Sequence, residues 1–145
     1  MAADIRAAMP ADATDCGRII FEAFSAVADR HGVVPDFPST AAAVEFAAML
    51  TSHPRIFGVV AELDGKVVGS GFLWQRDPIL GVGPVTVEPG VQSGGIGRQL
   101  MAAILQRARR AAGVRLVHLQ RRLGCALRIA GICRPRTAAA AAGQA

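Results

Sequence analysis

Residues 84–117 read PVTVEPGVQSGGIGRQLMAAILQRARRAAGVRLV. A valine-rich run breaks at Pro89-Gly90. Small residues with Gly94, Gly95 and Gly97 follow, and then an Ala/Leu/Ile/Arg segment that predicts a helix over 95–112 with Gly113 as its stop. A strand ending in a glycine-rich loop at a helix N-terminus makes an anion site. The first amides of a helix have no internal partner, and the helix dipole places partial positive charge at that end. Glycines let phosphate oxygens approach the backbone closely. A loop that needs glycine only for its own turn is the other reading of the pattern. No Lys-Ser or Lys-Thr follows the glycines, which excludes a P-loop. GGIGRQ does not give G-x-G-x-x-G, and the strands before it form a meander, which argues against a dinucleotide fold.

Working outward, Pro84 lies inside the apolar run ILGVGPVTV and removes one ladder donor, so a bulge or splayed end is expected there. Upstream, IFGVVAELDGKVVGSGFLW reads as a hairpin around Asp64-Gly65. DIRAAMPAD reads as a first strand ended by Pro10. Asp12 is the expected N-cap of a helix carrying Ile19, Ile20, Phe24 and Val27 and closed by Gly32. Ser39 or Thr40 caps a second helix, ended by His53-Pro54. VRLVHL reads as a last strand. The order β, α, α, β, β, β, α, β predicts an α/β protein with a mixed (α+β) sheet and helices on both faces.

The chain has 145 residues, the length of one domain. With 52% hydrophobic and 19% charged residues it is neither disordered nor membrane-spanning in composition. The N-terminal stretch shows no secretory signal. Three cysteines (Cys16, Cys125, Cys133) without CxxC spacing argue against disulfides and against a metal site, and fit a cytoplasmic protein. The net charge of +5 hides an asymmetry. Residues 1–88 hold 6 basic and all 11 acidic side chains, while residues 89–145 hold 10 Arg and no acid.

Gln92 to Gly97, QSGGIG, fits Gln/Arg-x-x-Gly-x-Gly/Ala, and the whole run VTVEPGVQSGGIGRQLMAAIL is similar to the strand–loop–helix core of the GNAT (Gcn5-related) N-acetyltransferase family. IRAAMPADATDCGRIIFEAF resembles that family's first strand and helix, and FGVVAELDGKVVGSGFLW its second and third strands. The resemblance covers roughly residues 4–117. It implies the acyl-CoA N-acyltransferase fold, acetyl-CoA as acyl donor, an amine acceptor of unknown identity, and no metal. It also implies that backbone groups of Val85, Thr86 and Val87 pair with the pantetheine arm. Amides across Gln92, Ser93, Gly94, Gly95, Ile96, Gly97 and Arg98 would hold the pyrophosphate, while the Ile96 and Leu100 side chains pack the helix on the sheet.

Amine attack on a thioester needs a proton acceptor, an oxyanion donor and an acid for the thiolate. Glu88 and Glu62 are the acids nearest in sequence, and each also reads as a surface carboxylate, so the catalytic residues stay unassigned. Trp74, Gln75, Arg76 and Asp77 follow the third strand and are placed to line an acceptor pocket, or to form a solvated loop. His31 and His53 sit beside helix stops, where a dipole contact accounts for them.

The resemblance stops near Val117. The family continues with a helix carrying Asn, small apolar residues, a Leu-Tyr pair and Gly-Phe, then two strands; the Tyr often protonates the CoA thiolate. Residues 118–145 form instead an Arg/Ala-rich tail with no Tyr, Asn, Phe or acid. Read one base forward, the codons from Leu119 to Cys133 permit Phe-Asn-x-x-Ser-Val-Ala-Leu-Tyr-x-x-Leu-Gly-Phe, the missing helix at family spacing. The expectation is a core at 1–117, a shift of frame near codons 115–119, and a C-terminal helix and strands missing or replaced. A native alternative tail is the other account. The competing functions are an inactive remnant and a basic nucleic-acid-binding protein. The second is weakened because the tail lacks interleaved aromatics and Arg107, Arg109 and Arg110 read as a solvated helix face. Nothing in the residues calls for a membrane, and a homodimer stays open.

Overall fold

The computed structural model describes residues 3–116; the tail and the expectations placed on it lie outside the described residues. The chain runs β1 (Asp4–Ala7), α1 (Ala13–His31), α2 (Thr40–Ser52), β2 (Ile56–Leu63), β3 (Lys66–Trp74), β4 (Ile79–Val87), α3 (Ile96–Arg107) and β5 (Gly113–Leu116), with short 3-10 turns at Pro10–Asp12 and Pro89–Gly94. The sheet order is β1-β2-β3-β4-β5. All neighbours are antiparallel except β4 and β5, which pair in parallel from Ile79↔Gly113 to Val82↔Leu116. A parallel pair needs a crossover, and α3 supplies it.

The sheet is covered on both faces, as the order of elements predicts. On one face Val59, Ala61, Leu73, Val82 and Val87 pack under Ile96, Leu100, Met101 and Ile104 of α3. On the other, Val60, Val67 and Phe72 pack under Cys16, Ile19 and Ile20 of α1 and Ala43, Ala47 and Leu50 of α2. The alternation along β2 and β3 sorts these side chains to opposite faces. The two helices α1 and α2 cross closely: a Cβ added at Gly17 would collide with the Val44 backbone. The hairpin turns at Asp64 and Gly65, both at positive φ. This backbone twist matches a two-residue turn.

Two boundaries differ from expectation. Helix α3 ends at Arg107, and Gly113 is the first residue of β5 rather than the helix stop. Ala108 is buried, and Ala111 N–H closes a turn onto its carbonyl at 3.0 Å. The chain must leave the helix there to reach its register beside Ile79. Asp12 stands at the N-cap of α1 but makes no side-chain cap bond. Its carboxylate instead takes the Met9 N–H at 2.8 Å and the Arg6 guanidinium at 2.8 Å through each oxygen. The bidentate Arg6 contact, with the Met9 amide, holds this carboxyl below the ordinary range despite its burial. Ser39 is the cap of α2, its Oγ accepting from Ala42 N–H at 3.2 Å.

Candidate active site

The expected irregularity in β4 is present. The β3–β4 register runs Gly71↔Val85 and then Leu73↔Val82, so β4 holds one extra residue at Gly83-Pro84. Trp74 Nε1 donates to Gly83 O at 2.7 Å and pins the bulge. The bulge also decides which backbone groups face outward. Glu88 N–H donates to Val68 O at 2.8 Å. With Ser70 opposite Thr86, that bond turns the Thr86 amide and carbonyl toward β3, and those of Val85 and Val87 toward the β5 side. Among the described residues, β5 pairs with β4 only as far as Val82. Of the three residues expected along a ligand arm, Val85 and Val87 present backbone groups to that open side. The Thr86 side chain is buried, its Oγ1 3.3 Å from Ser70 Oγ. The Cys16 thiol lies against Ser70, and burial pushes it up to about 11.

The glycine loop forms the turn Pro89–Gly94 and then opens α3. Gln92 is a tether: its Nε2 donates to Val87 O at 3.1 Å, tying the loop to the strand end. Gly95 sits at φ 79 and ψ 7, the left-handed region that disfavours a side chain. It is also the N-cap residue of α3, with no side-chain cap, and the first helical bond is Gln99 N–H to Gly95 O at 3.2 Å. The amides of Ile96, Gly97 and Arg98 therefore have no acceptor within the helix. No acidic residue stands in the first turn, and Arg98 is exposed there. Around this end, space is open. Among the described residues, a Cβ at Gly94 or Gly95 would meet nothing within 4 Å, and one at Gly97 only Val87 Cγ2 at 3.8 Å. The packing of the described residues leaves room in front of these amides, which suits a phosphate-bearing group. Below them Ile96 and Leu100 are buried against the sheet, as expected.

Both acids singled out in the sequence are held by arginines. Glu62 Oε1 takes Arg6 Nη2 at 2.7 Å. Glu88 Oε1 takes Arg18 Nη1 at 3.1 Å and lies 3.6 Å from Lys66 Nζ. His53 Nδ1 accepts the Arg55 N–H at 3.0 Å, so it caps a turn rather than a helix dipole. The third-strand end fares differently. Trp74, Arg76 and Asp77 line a cleft of about 410 Å³ together with Gly81, Gly83 and Arg115. Sequence reading missed Arg115, because only the strand register places it opposite Gly81.

The comparisons with known proteins agree with this fold. The model described as "Acetyltransferase (GNAT) family" matches residues 19–125. No curated protein matches the sequence. Among solved structures, a mutant form of the BH1408 protein of Bacillus halodurans superposes with a TM-score of 0.75 at 15% identity, over 92% of this chain and 95% of that one. A GNAT family acetyltransferase of Brucella melitensis in complex with acetyl-CoA gives a TM-score of 0.65 at 25% identity, over 89% and 81%. A protein of Clostridium acetobutylicum described as a predicted acetyltransferase, solved with acetyl-CoA, gives 0.66 at 12% identity, over 91% and 90%. The mixed sheet, with five strands among the described residues and a bulge in the fourth, the uncapped helix behind its glycine loop and the family match across most of the chain lead to one assignment: this protein belongs to the GNAT acetyltransferase family.

Proposed function

We propose that this chain transfers the acetyl group of acetyl-CoA to the nitrogen of an amine. One observation carries the reading: among the described residues, the N-terminus of α3 is uncapped, free of acid, and open in front of Gly94, Gly95 and Gly97. The amides from Gln92 to Arg98 would receive the pyrophosphate there. Val85 and Val87 would pair with the amide-bearing arm on the open side of β4, as an added strand does. From Val87 to Gly83 the strand covers ~13 Å, which brings the far end of such an arm to the bulge and its cleft.

The residues supply binding and orientation in this reading. Arg98 adds positive charge beside the loop amides. Gln92 fixes the loop on Val87, and Trp74 fixes the bulge through Gly83 O. Glu88 is committed to Arg18 and Lys66, so it serves the position of the strand end rather than proton transfer. We assign residues 1–117 to the catalytic fold and residues 118–145 to a shifted reading frame. The gene tests that assignment: Leu127 is expected as CTA, Gln120 as CAA, Gly131 as GGG and Ile132 as ATT.

The functional test is a thermal melt of the full chain with acetyl-CoA and with duplex DNA. A ligand at 100 times its Kd stabilises by about 2.7 kcal/mol, several degrees for a chain of this size. A saturable rise with acetyl-CoA supports the reading. No response to acetyl-CoA, with DNA binding that steepens as salt falls, would replace it with the nucleic-acid alternative.

A further inference from the structure

Some charged side chains in this fold are paired with one another. Arg6 binds Asp12 and Glu62, and Arg18 binds Glu22 and Glu88, with Lys66 nearby. Three charges gather around the cleft beside the β4 bulge. Among the described residues, none of the ion pairs involves Arg76, Asp77 or Arg115. The strand register brings them to one place. Trp74 lies opposite Gly81, and Gly81 opposite Arg115, so the three form a row across one face of the sheet. Val114 and Leu116 pack on the α3 side, which sends the Arg115 side chain to the other face. Gly81 contributes no side chain between its neighbours. A Cβ there would stand 3.6 Å from Trp74 Cβ. The indole, fixed by its bond to Gly83 O, forms one wall. Arg76 and Asp77 rise from the β3–β4 loop at the rim.

We infer that this cleft is the acceptor site and that it takes a small amine carrying a carboxylate, an amino-acid-type zwitterion, rather than a polyamine. Two guanidiniums and one carboxylate around an indole wall match a ligand with one ammonium, one carboxylate and an apolar body. A polycation would meet two positive charges for each negative one. The cleft volume of about 410 Å³ admits a molecule of amino-acid size. The acceptor assignment rests on the acetyl-transfer reading; the ligand class rests on the cleft alone. In the reaction, the bound ammonium first loses one proton to solvent at the rim. The amine nitrogen then forms a bond to the thioester carbonyl carbon, and the carbon–sulfur bond breaks. The second amine proton ends on the CoA thiol.

The chain has one tryptophan and no tyrosine, so emission excited near 295 nm reports Trp74 directly. We would titrate the full chain, without acetyl-CoA, with L-leucine, L-glutamine and L-glutamate, with the α-amide of each, and with spermidine. The expected result is a saturable shift with at least one free amino acid, at least ~10-fold weaker with its amide and weaker still with spermidine. Arg115→Gln and, separately, Arg76→Gln should weaken the acid by several-fold or more while leaving the amide nearly unchanged. Both side chains are exposed, so both variants should melt like the parent. Equal binding of acid and amide, preference for spermidine, or no response to any amino acid at millimolar concentration would each overturn the inference. A parallel melt with acetyl-CoA separates the two levels. Loss of the acetyl-CoA response with the Trp74 response intact removes the acetyl-transfer reading alone.

Discussion

Gly97→Asp separates a structural glycine from a ligand-facing one. Among the described residues, a Cβ at this position meets only Val87 Cγ2, at ordinary contact distance. The helix tolerates the side chain, and Asp in the first turn complements the macrodipole by about 0.3–1 kcal/mol. Replacing Gly within a helix adds a few tenths of a kcal/mol or more. The folded chain should therefore be as stable as the parent, or up to ~1 kcal/mol more stable. Acetyl-CoA should fare in the opposite way. A carboxylate ~4 Å from a phosphate charge costs about 4 kcal/mol at an effective dielectric near 20, and salt screening reduces this to ~2–3 kcal/mol. That is a loss of ~30- to 150-fold in affinity. Gly97→Ala is the control, since the pattern seen in the sequence admits Ala there; it should bind within a few-fold of the parent. Calorimetric titration with acetyl-CoA and thermal melts of both variants give the two readouts. If Gly97→Asp binds acetyl-CoA within threefold of the parent, no anion sits at the N-terminus of α3. If it unfolds, the space before Gly97 is not open.

Other perturbations test the fold that carries the site. Gly17→Ala places a methyl against the Val44 backbone and should cost about 1–3 kcal/mol in denaturant unfolding through overpacking; no measurable loss would refute the close helix crossing. Asp12→Asn should cost about 1–2 kcal/mol at pH 7. Because the folded-state value of Asp12 lies below its unfolded value, that difference is fully present above about pH 4 and fades as pH falls through the lower, folded value. A pH-independent difference would mean the ion pair with Arg6 contributes nothing. The Cys16 thiol, fully buried and raised to about 11, should resist maleimide at pH 8 in the folded chain and react on unfolding; rapid native labelling at Cys16, read by mass spectrometry, would contradict its burial.

Local chemistry was the legible part of this sequence. Asp64-Gly65 dictates a hairpin because both residues accept positive φ. Pro84 cannot donate to a ladder, and the extra residue in β4 falls beside it. What remained hidden depends on tertiary geometry. Asp12 looks like a cap until Arg6, six residues away, is brought within 2.8 Å and takes its carboxylate. Gly113 looks like a helix stop because glycine ends helices, yet the register of the parallel strand fixes where α3 must end. Glu88 is next to the site in sequence, but Arg18, 70 residues earlier, holds it. Arg115 shows no local signal at all. Its place beside Trp74 follows from two successive strand pairings that no short window contains.

The most direct test of the account is a 15N–1H NMR titration of the full chain with acetyl-CoA, using acetate as control. The account predicts that the largest amide shifts fall on Gly94, Gly95, Ile96, Gly97 and Arg98, with Val85 and Val87 next and Thr86, turned toward β3, moving least of the three strand residues. Shifts confined to other parts of the molecule, or equal shifts with acetate, would contradict it.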